Sequence, residues 1–220
     1  MVRYTAAFAL AALGCLANAD IVKYKVRIRN LTYMQPFSPP LIAAHTKALS
    51  VFQEGKPAID AVKLMAEDGD NSALLAFADD PFVMENACGV VVADGPLLPG
   101  KTWRGTLEVD TDICKDPVYS VVGMLVNTND AFVGVDSEKL PYYGASKVFP
   151  PAFDAGTEMN NELCSHIPGP ACTTESGNQE ATPGEGYIHV HRGVHGIGDI
   201  TADVYDWRNP VAEIFIEASG

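Results

Sequence analysis

Positive charge is scarce in this sequence. Lys and Arg total 15 against 28 Asp and Glu among 220 residues, which gives a net charge of −13. Nucleic acids and anionic membranes reward clustered Lys and Arg, because phosphate contacts dominate those affinities. The composition therefore predicts that neither is the main partner. An acidic surface favours cations instead.

Long apolar runs are absent after the N-terminus, so the sequence predicts no transmembrane segment. At the N-terminus, Arg3 precedes a short apolar stretch at 6–13, and Ala17 and Ala19 are the small residues that a signal peptidase reads. We expect residues 1–19 to be a signal peptide. Residues 20–220 are then predicted to form one secreted, extracellular domain.

Cysteines are few, and the chain contains no Cys-x-x-Cys pair, which disfavours a zinc-thiolate site. Four cysteines remain after removal of the signal peptide, and four allow three pairings. Neighbours in sequence are the easiest to join. We therefore predict the disulfides Cys88–Cys114 and Cys164–Cys172, as is usual for extracellular proteins.

Signatures of nucleophilic catalysis are also missing. The chain has no Gly-x-Ser-x-Gly elbow, and no cysteine is free if both disulfides form. Acid pairs such as Asp110 and Asp112 are more typical of a solvated hairpin rim than of a glycosidase dyad. The sequence therefore assigns no catalytic residue.

Short strands separated by turns dominate the remaining sequence. In 21–29, apolar Val22, Tyr24, Val26 and Ile28 alternate with charged residues, which predicts a strand with one buried face. Comparable apolar or alternating runs recur at 89–93, 103–109, 119–126, 187–190 and 211–216. With 19 Gly and 15 Pro to supply turns, this pattern predicts an all-β fold, an antiparallel β-sandwich.

One region between the first two predicted strands has helical spacing. Apolar residues recur at helical intervals in 58–65, and the pattern ends at Gly69. Asp70 or Asn71 is placed to cap a second short helix that extends to Phe77. We therefore expect one or two short helices inserted after the first strand.

Three acids at the rims of predicted strands form the first candidate site. Asp130 follows a strong strand, and Asp154 and Glu158 lie in a loop after two prolines. Calcium takes six to eight oxygen ligands from loops that bend around it. Two carboxylates near 4 Å repel by ~1–4 kcal/mol in a surface-like dielectric, and a cation would relieve this. The spacing alone, however, favours solvated loop acids.

A resemblance to a known family favours a calcium site over solvated loop acids. The segments that carry it are 37–45, 52–55, 66–69, 124 with 130–134, and 154–158. Taken in order, these segments resemble the spondin domain found in F-spondin and mindin, most of all its free-standing microbial form behind a signal peptide. The similarity runs from about Tyr24 to Ile216.

The resemblance implies a β-sandwich similar to calcium- and lipid-binding sandwich domains, with calcium bound at one end. The family's metal-binding acids match Asp130, Asp154 and Glu158. Two positions depart from the animal proteins, which have Asp in place of Glu158 and an aromatic residue in place of Ala131. It also implies a non-catalytic adhesion module that binds an extracellular protein, the matrix or a cell-surface component.

Histidines form the second candidate site. His189 and His191 are two positions apart on a predicted strand, so both side chains point to the same face, and His45 can join them from the proline-rich segment. Imidazole clusters suit copper or zinc. The alternative function is therefore a secreted copper- or zinc-binding metalloprotein or oxidoreductase. Two histidines on a polar strand face, without a metal, fit the same pattern.

Overall fold

A computed structural model describes residues 20–172 and 183–219, so the predicted signal peptide and part of the loop at 165–186 lie outside the described residues. The strands are β1 (Ile21–Asn30), β2 (Leu41–His45), β3 (Ala87–Val92), β4 (Thr102–Asp110), β5 (Val118–Met124), β6 (Ala131–Lys139), β7 (Ala145–Val148), β8 (Ala152–Asp154), β9 (His189–Val190) and β10 (Ala212–Ala218). The helices are α1 (Asp60–Asp68), α2 (Ser72–Ala76), α3 (Pro81–Asn86) and α4 (Ala202–Tyr205), and a 3-10 turn spans Phe77–Asp79.

The strands form two antiparallel sheets. One has the order β4-β1-β10-β7, and the other has the order β3-β2-β5-β6-β8-β9. Residues from both sheets share one core cluster, in which Ile28 and Ile214 of the first sheet join Val121 and Val133 of the second. The predicted all-β sandwich is thus confirmed.

Apolar and charged residues alternate along β1, and so one face of this strand covers the core. Tyr24, Val26 and Ile28 are buried, whereas the Lys and Arg residues between them are exposed. Strand β5 is instead buried along its whole length. Its outward residues Val122 and Met124 pack beneath α1, so this strand has protein on both faces.

The helical region lies after β2, one strand later than the sequence predicts. Strand β2 is buried on both faces and shows no alternation, so its five residues carry no period-two signal. Helix α1 begins at Asp60 and ends where Gly69 adopts a left-handed conformation with φ of 69°. Helix α2 begins at Ser72 with Asn71 at its N-cap position and no side-chain cap from any described residue, and Asp70 Oδ1 accepts a hydrogen bond from the Ser72 backbone N–H.

Both predicted disulfides are present. Cys88 in β3 is joined to Cys114, which follows β4, and the bond closes a loop with a sequence separation of 26. Cys164 is joined to Cys172 across a separation of 8. The first bond belongs to the core between the sheets, where Cys88 and Cys114 are buried.

We predict that the two disulfides stabilise the fold unequally. In the chain-entropy account, closing the longer loop contributes about 3.5 kcal/mol and closing the shorter loop about 2.5 kcal/mol. Urea unfolding of the Cys88→Ala/Cys114→Ala and Cys164→Ala/Cys172→Ala double variants checks this. Equal losses, or a larger loss for the second pair, would contradict it.

Candidate metal centre

Three strands of the larger sheet bring the candidate residues to one end of the sandwich. Ala131, the first residue of β6, pairs with Asp154, the last residue of β8. Asp154 in turn pairs with His189, the first residue of β9. Because neighbouring strands are antiparallel, Asp130, Asp154 and His189 lie side by side at this end.

Asp130 is fully buried and is held by the backbone of a distant loop. Its Oδ2 accepts hydrogen bonds from the backbone N–H groups of Thr157 at 2.8 Å and Glu158 at 3.0 Å, and from the Thr157 hydroxyl at 3.2 Å. The other oxygen, Oδ1, is buried and accepts no hydrogen bond from any described residue. A buried carboxylate oxygen without a donor is costly, and a cation would compensate for it.

Asp154 is also buried, and both of its oxygens are positioned by local donors. Oδ1 accepts a hydrogen bond from the Gly156 N–H at 2.7 Å, and Oδ2 accepts one from the Asn160 amide at 2.6 Å. Gly156 has a φ of 67°, and a side chain there would clash with the backbone of Tyr187. This glycine therefore allows the 154–158 loop to lie against the segment that leads into β9.

Glu158 completes the predicted acidic set at the same end. It is 5% exposed, and a β-bridge pairs it with Pro183. Its backbone N–H donates to Asp130, as described above, so the loop that carries Glu158 is fixed to the loop that carries Asp130. The structure thus brings the segments of Asp130, Asp154 and Glu158 together.

Burial and nearby negative charges raise the pKa values of the two aspartates. The pKa of Asp130 is raised from 3.8 to about 8, chiefly because the carboxyl is removed from water and secondly because of the Asp154 charge. Burial also raises the pKa of Asp154. A nearby cation would favour the charged form of both carboxylates.

His191 supports Asp154 indirectly, through Asn160. Burial lowers its pKa to about 3, so the ring is neutral. Nδ1 accepts a hydrogen bond from the Gly193 N–H at 2.9 Å, which leaves Nε2 to donate to the Asn160 carbonyl oxygen at 2.9 Å. Since Asn160 donates to Asp154, His191 orients the amide that holds this carboxylate, and both of its ring nitrogens are occupied.

His45 lies at the other end of the sheet. It pairs with Val118, and Val118 pairs with Lys139 at the end of β6, eight residues from Ala131. At ~3.3 Å per residue, this separates His45 from the acidic end by roughly 26 Å. Its ring nitrogens contact the Thr46 carbonyl and the Ser120 hydroxyl, each at 2.8 Å. His45 therefore does not join the other two histidines.

His189 has a partner that the sequence did not suggest. Its Nε2 lies 3.9 Å from Asp154 Oδ2 and 3.8 Å from Glu185 Oε2. Asp154, Glu185 and His189 offer ligand atoms that all lie within 4.8 Å of one another. Glu185 is four positions before His189 in a glycine-rich turn, a spacing with no established meaning for an extended segment. The three side chains come together because β8 pairs with β9, and this pairing cannot be read from the local sequence.

Comparison of the sequence with protein-family models finds a match. A family model described as Spondin_N matches residues 29–164. The chain belongs to the spondin N-terminal domain family. The matched range contains Asp130, Asp154 and Glu158 but ends before Glu185 and His189. A search of curated proteins returned no match.

Membership of this family and the two disulfides are typical of an extracellular protein. Within residues 20–172 and 183–219, the structure contains no helix with the length and apolar character needed to cross a bilayer.

The raised pKa of Asp130 predicts a pH effect in calcium-free buffer. The folded state holds the proton more tightly, so its stabilising contribution is complete below pH 3.8 and is lost as pH rises to about 8. We expect the wild type to lose at least about 2 kcal/mol more stability than Asp130→Asn between pH 4 and 8.

Urea unfolding at each pH measures this difference. The lowered pKa of His191 reduces stability as pH falls below 6.5. Both proteins contain His191, so this effect cancels in the difference between them. Parallel pH profiles for the two proteins would show that Asp130 is not protonated in the folded state.

Proposed function

We propose that this spondin-family protein is a secreted, non-catalytic adhesion module whose acidic end is ordered by calcium. The observation that carries this proposal is the position of Asp130: fully buried, beside Asp154, with one carboxylate oxygen lacking a hydrogen-bond donor. In this proposal, Asp130, Asp154 and Glu158 hold the ion. The partner is an extracellular protein, the matrix or a cell-surface component.

The donor set fits calcium. All three predicted ligands are carboxylates in loops or at a strand end, and calcium prefers hard oxygen ligands in flexible geometry. Backbone carbonyls and water would complete its coordination shell. The pKa values of Asp130 and Asp154 are raised chiefly by burial and secondarily by nearby negative charge, and a divalent cation would offset both effects. The spondin family relationship supports the same assignment.

A calcium ion that orders the loop at Asp130 would also order the neighbouring turn at 195–197. Asn129, adjacent to Asp130, accepts a hydrogen bond from the Glu162 backbone N–H at 3.2 Å. The buried Glu162 carboxylate in turn accepts hydrogen bonds from the backbone N–H groups of His195 and Ile197. The 195–197 turn is therefore connected to the acidic end through a short chain of hydrogen bonds.

Four exposed apolar side chains lie close in sequence to the residues of this end, and we infer that they contribute to the contact surface. Ile197 is 70% exposed, and the group also includes Met159, Leu163 and Tyr187. Each is close in sequence to a residue that forms or supports the acidic site. Exposed apolar side chains beside polar groups are common in protein-binding surfaces.

Calcium should raise the melting temperature of the mature chain. At a calcium concentration 100-fold above the dissociation constant, the gain is about 2.7 kcal/mol, or roughly 5–10 °C for a chain of this size. Differential scanning calorimetry in calcium and in EGTA measures the shift. Asp130→Asn should abolish it, because Asn cannot supply the charge.

Asp94→Asn is the matched control, since Asp94 is an exposed loop acid outside the site. This variant should respond to calcium like the wild type. The calcium assignment fails if EGTA leaves the wild-type melting temperature unchanged, or if Asp130→Asn keeps the full shift.

Binding to the extracellular partner should depend on both calcium and Ile197. We expect surface plasmon resonance against a panel of purified extracellular matrix proteins to show a partner bound in calcium and released in EGTA. Ile197→Ser should weaken this binding at least tenfold without changing the calcium-induced melting shift. Leu98→Ser, at a comparably exposed site with 54% exposure, is the control. Equal loss in both variants would argue against the proposed surface.

A further inference from the structure

We propose that Asp154, Glu185 and His189 form a second cation site, selective for a borderline transition metal such as Zn²⁺. It goes beyond the calcium proposal, because Glu185 and His189 play no part in that assignment and lie outside the residues matched by the family model. Two carboxylates and one imidazole form a ligand set that zinc accepts readily.

The separations between the three side chains fit ligands around a common ion. The His189 Nε2 is 3.9 Å from Asp154 Oδ2 and 3.8 Å from Glu185 Oε2. These distances exceed a hydrogen bond, which spans ~2.7–3.2 Å. Ligands bonded to zinc at ~2.0–2.2 Å in tetrahedral geometry lie roughly 3.3–3.6 Å apart. A contraction of a few tenths of an ångström would bring each carboxylate oxygen to this spacing from His189 Nε2, and all three ligand atoms already lie within 4.8 Å of one another.

The tautomer of His189 leaves the correct nitrogen available. Its Nδ1 lies 3.2 Å from the Val190 carbonyl oxygen, which can only accept, so Nδ1 carries the hydrogen. The lone pair is then on Nε2, the atom that faces both carboxylates. A histidine that donates its other ring N–H to a backbone carbonyl is the usual arrangement for a metal ligand. Tyr187 packs against the imidazole ring with centroids 5.4 Å apart.

The third ligand is rigidly supported, and the site is open to solvent. Asp154 is held by the Gly156 N–H and by the Asn160 amide, which His191 orients in turn. The side chains of Glu185 and His189 are 32% and 21% exposed, whereas that of Asp154 is 1% exposed. A metal can thus enter from solvent onto a buried anchor, and water can occupy its remaining position.

Zinc titration of the mature chain tests the site. The protein is stripped with EDTA, saturated with calcium and titrated with Zn²⁺ by isothermal calorimetry. We expect one equivalent to bind, and we expect His189→Ala and Glu185→Gln each to weaken binding at least tenfold. His195→Ala, at an exposed histidine in the next turn, is the matched control and should bind like the wild type.

Cobalt substitution provides an independent readout. Co²⁺ at this site should give visible absorption bands that are lost in His189→Ala and retained in His195→Ala. Zinc binding below one equivalent, or unchanged in His189→Ala, would overturn the proposal and leave His189 as an ion-pair partner of the two acids.

The calcium and zinc assignments can fail separately. Asp130→Asn should lose the calcium-induced melting shift while it still binds zinc. Glu185→Gln should keep the calcium shift while it loses zinc. If Asp130→Asn abolishes both responses with the fold intact, as judged by its melting temperature in EGTA, there is a single site and the zinc proposal is wrong.

Discussion

The burial of Asp130 against the backbone of residues 157 and 158 is the constraint on which the acidic end depends. Two backbone N–H groups and one hydroxyl converge on one oxygen of this carboxylate, and so the loop after β8 is held to the loop before β6. When a cation keeps Asp130 charged, these hydrogen bonds have a charged acceptor and are among the stronger ones in proteins. The same burial places the Asp130 charge beside Asp154, where it is unfavourable without a compensating cation.

The sandwich provides the rigid support for this arrangement. The two sheets share an apolar core, and α1 covers the outer face of the larger sheet. Strands β6, β8 and β9 meet at the acidic end through their terminal residues, so the site residues lie at or next to strand termini rather than in strand interiors. Loops at the ends of a rigid sheet can differ in ligands while the scaffold stays constant.

Asp154 links the two proposed sites. One side of the residue faces Asp130, whose pKa responds to the Asp154 charge, and its Oδ2 faces His189 and Glu185. A change in ligand occupancy on one side would alter the field felt on the other. The acidic composition of the chain, with 28 acids against 15 bases, favours cations at both positions.

The sandwich class, the two disulfides and the family could all be predicted from the sequence. The alternation of apolar and polar residues, the turn residues and the ordered motifs are local signals, so they can be recognised without knowledge of tertiary contacts. The sequence also indicated Asp130, Asp154 and Glu158, through resemblance. It could not reveal β2, which lacks alternation, or exclude His45 from the histidine group, or add Glu185. Those outcomes depend on which strands pair and in which register, and pairing is set by burial over the whole chain rather than by local spacing.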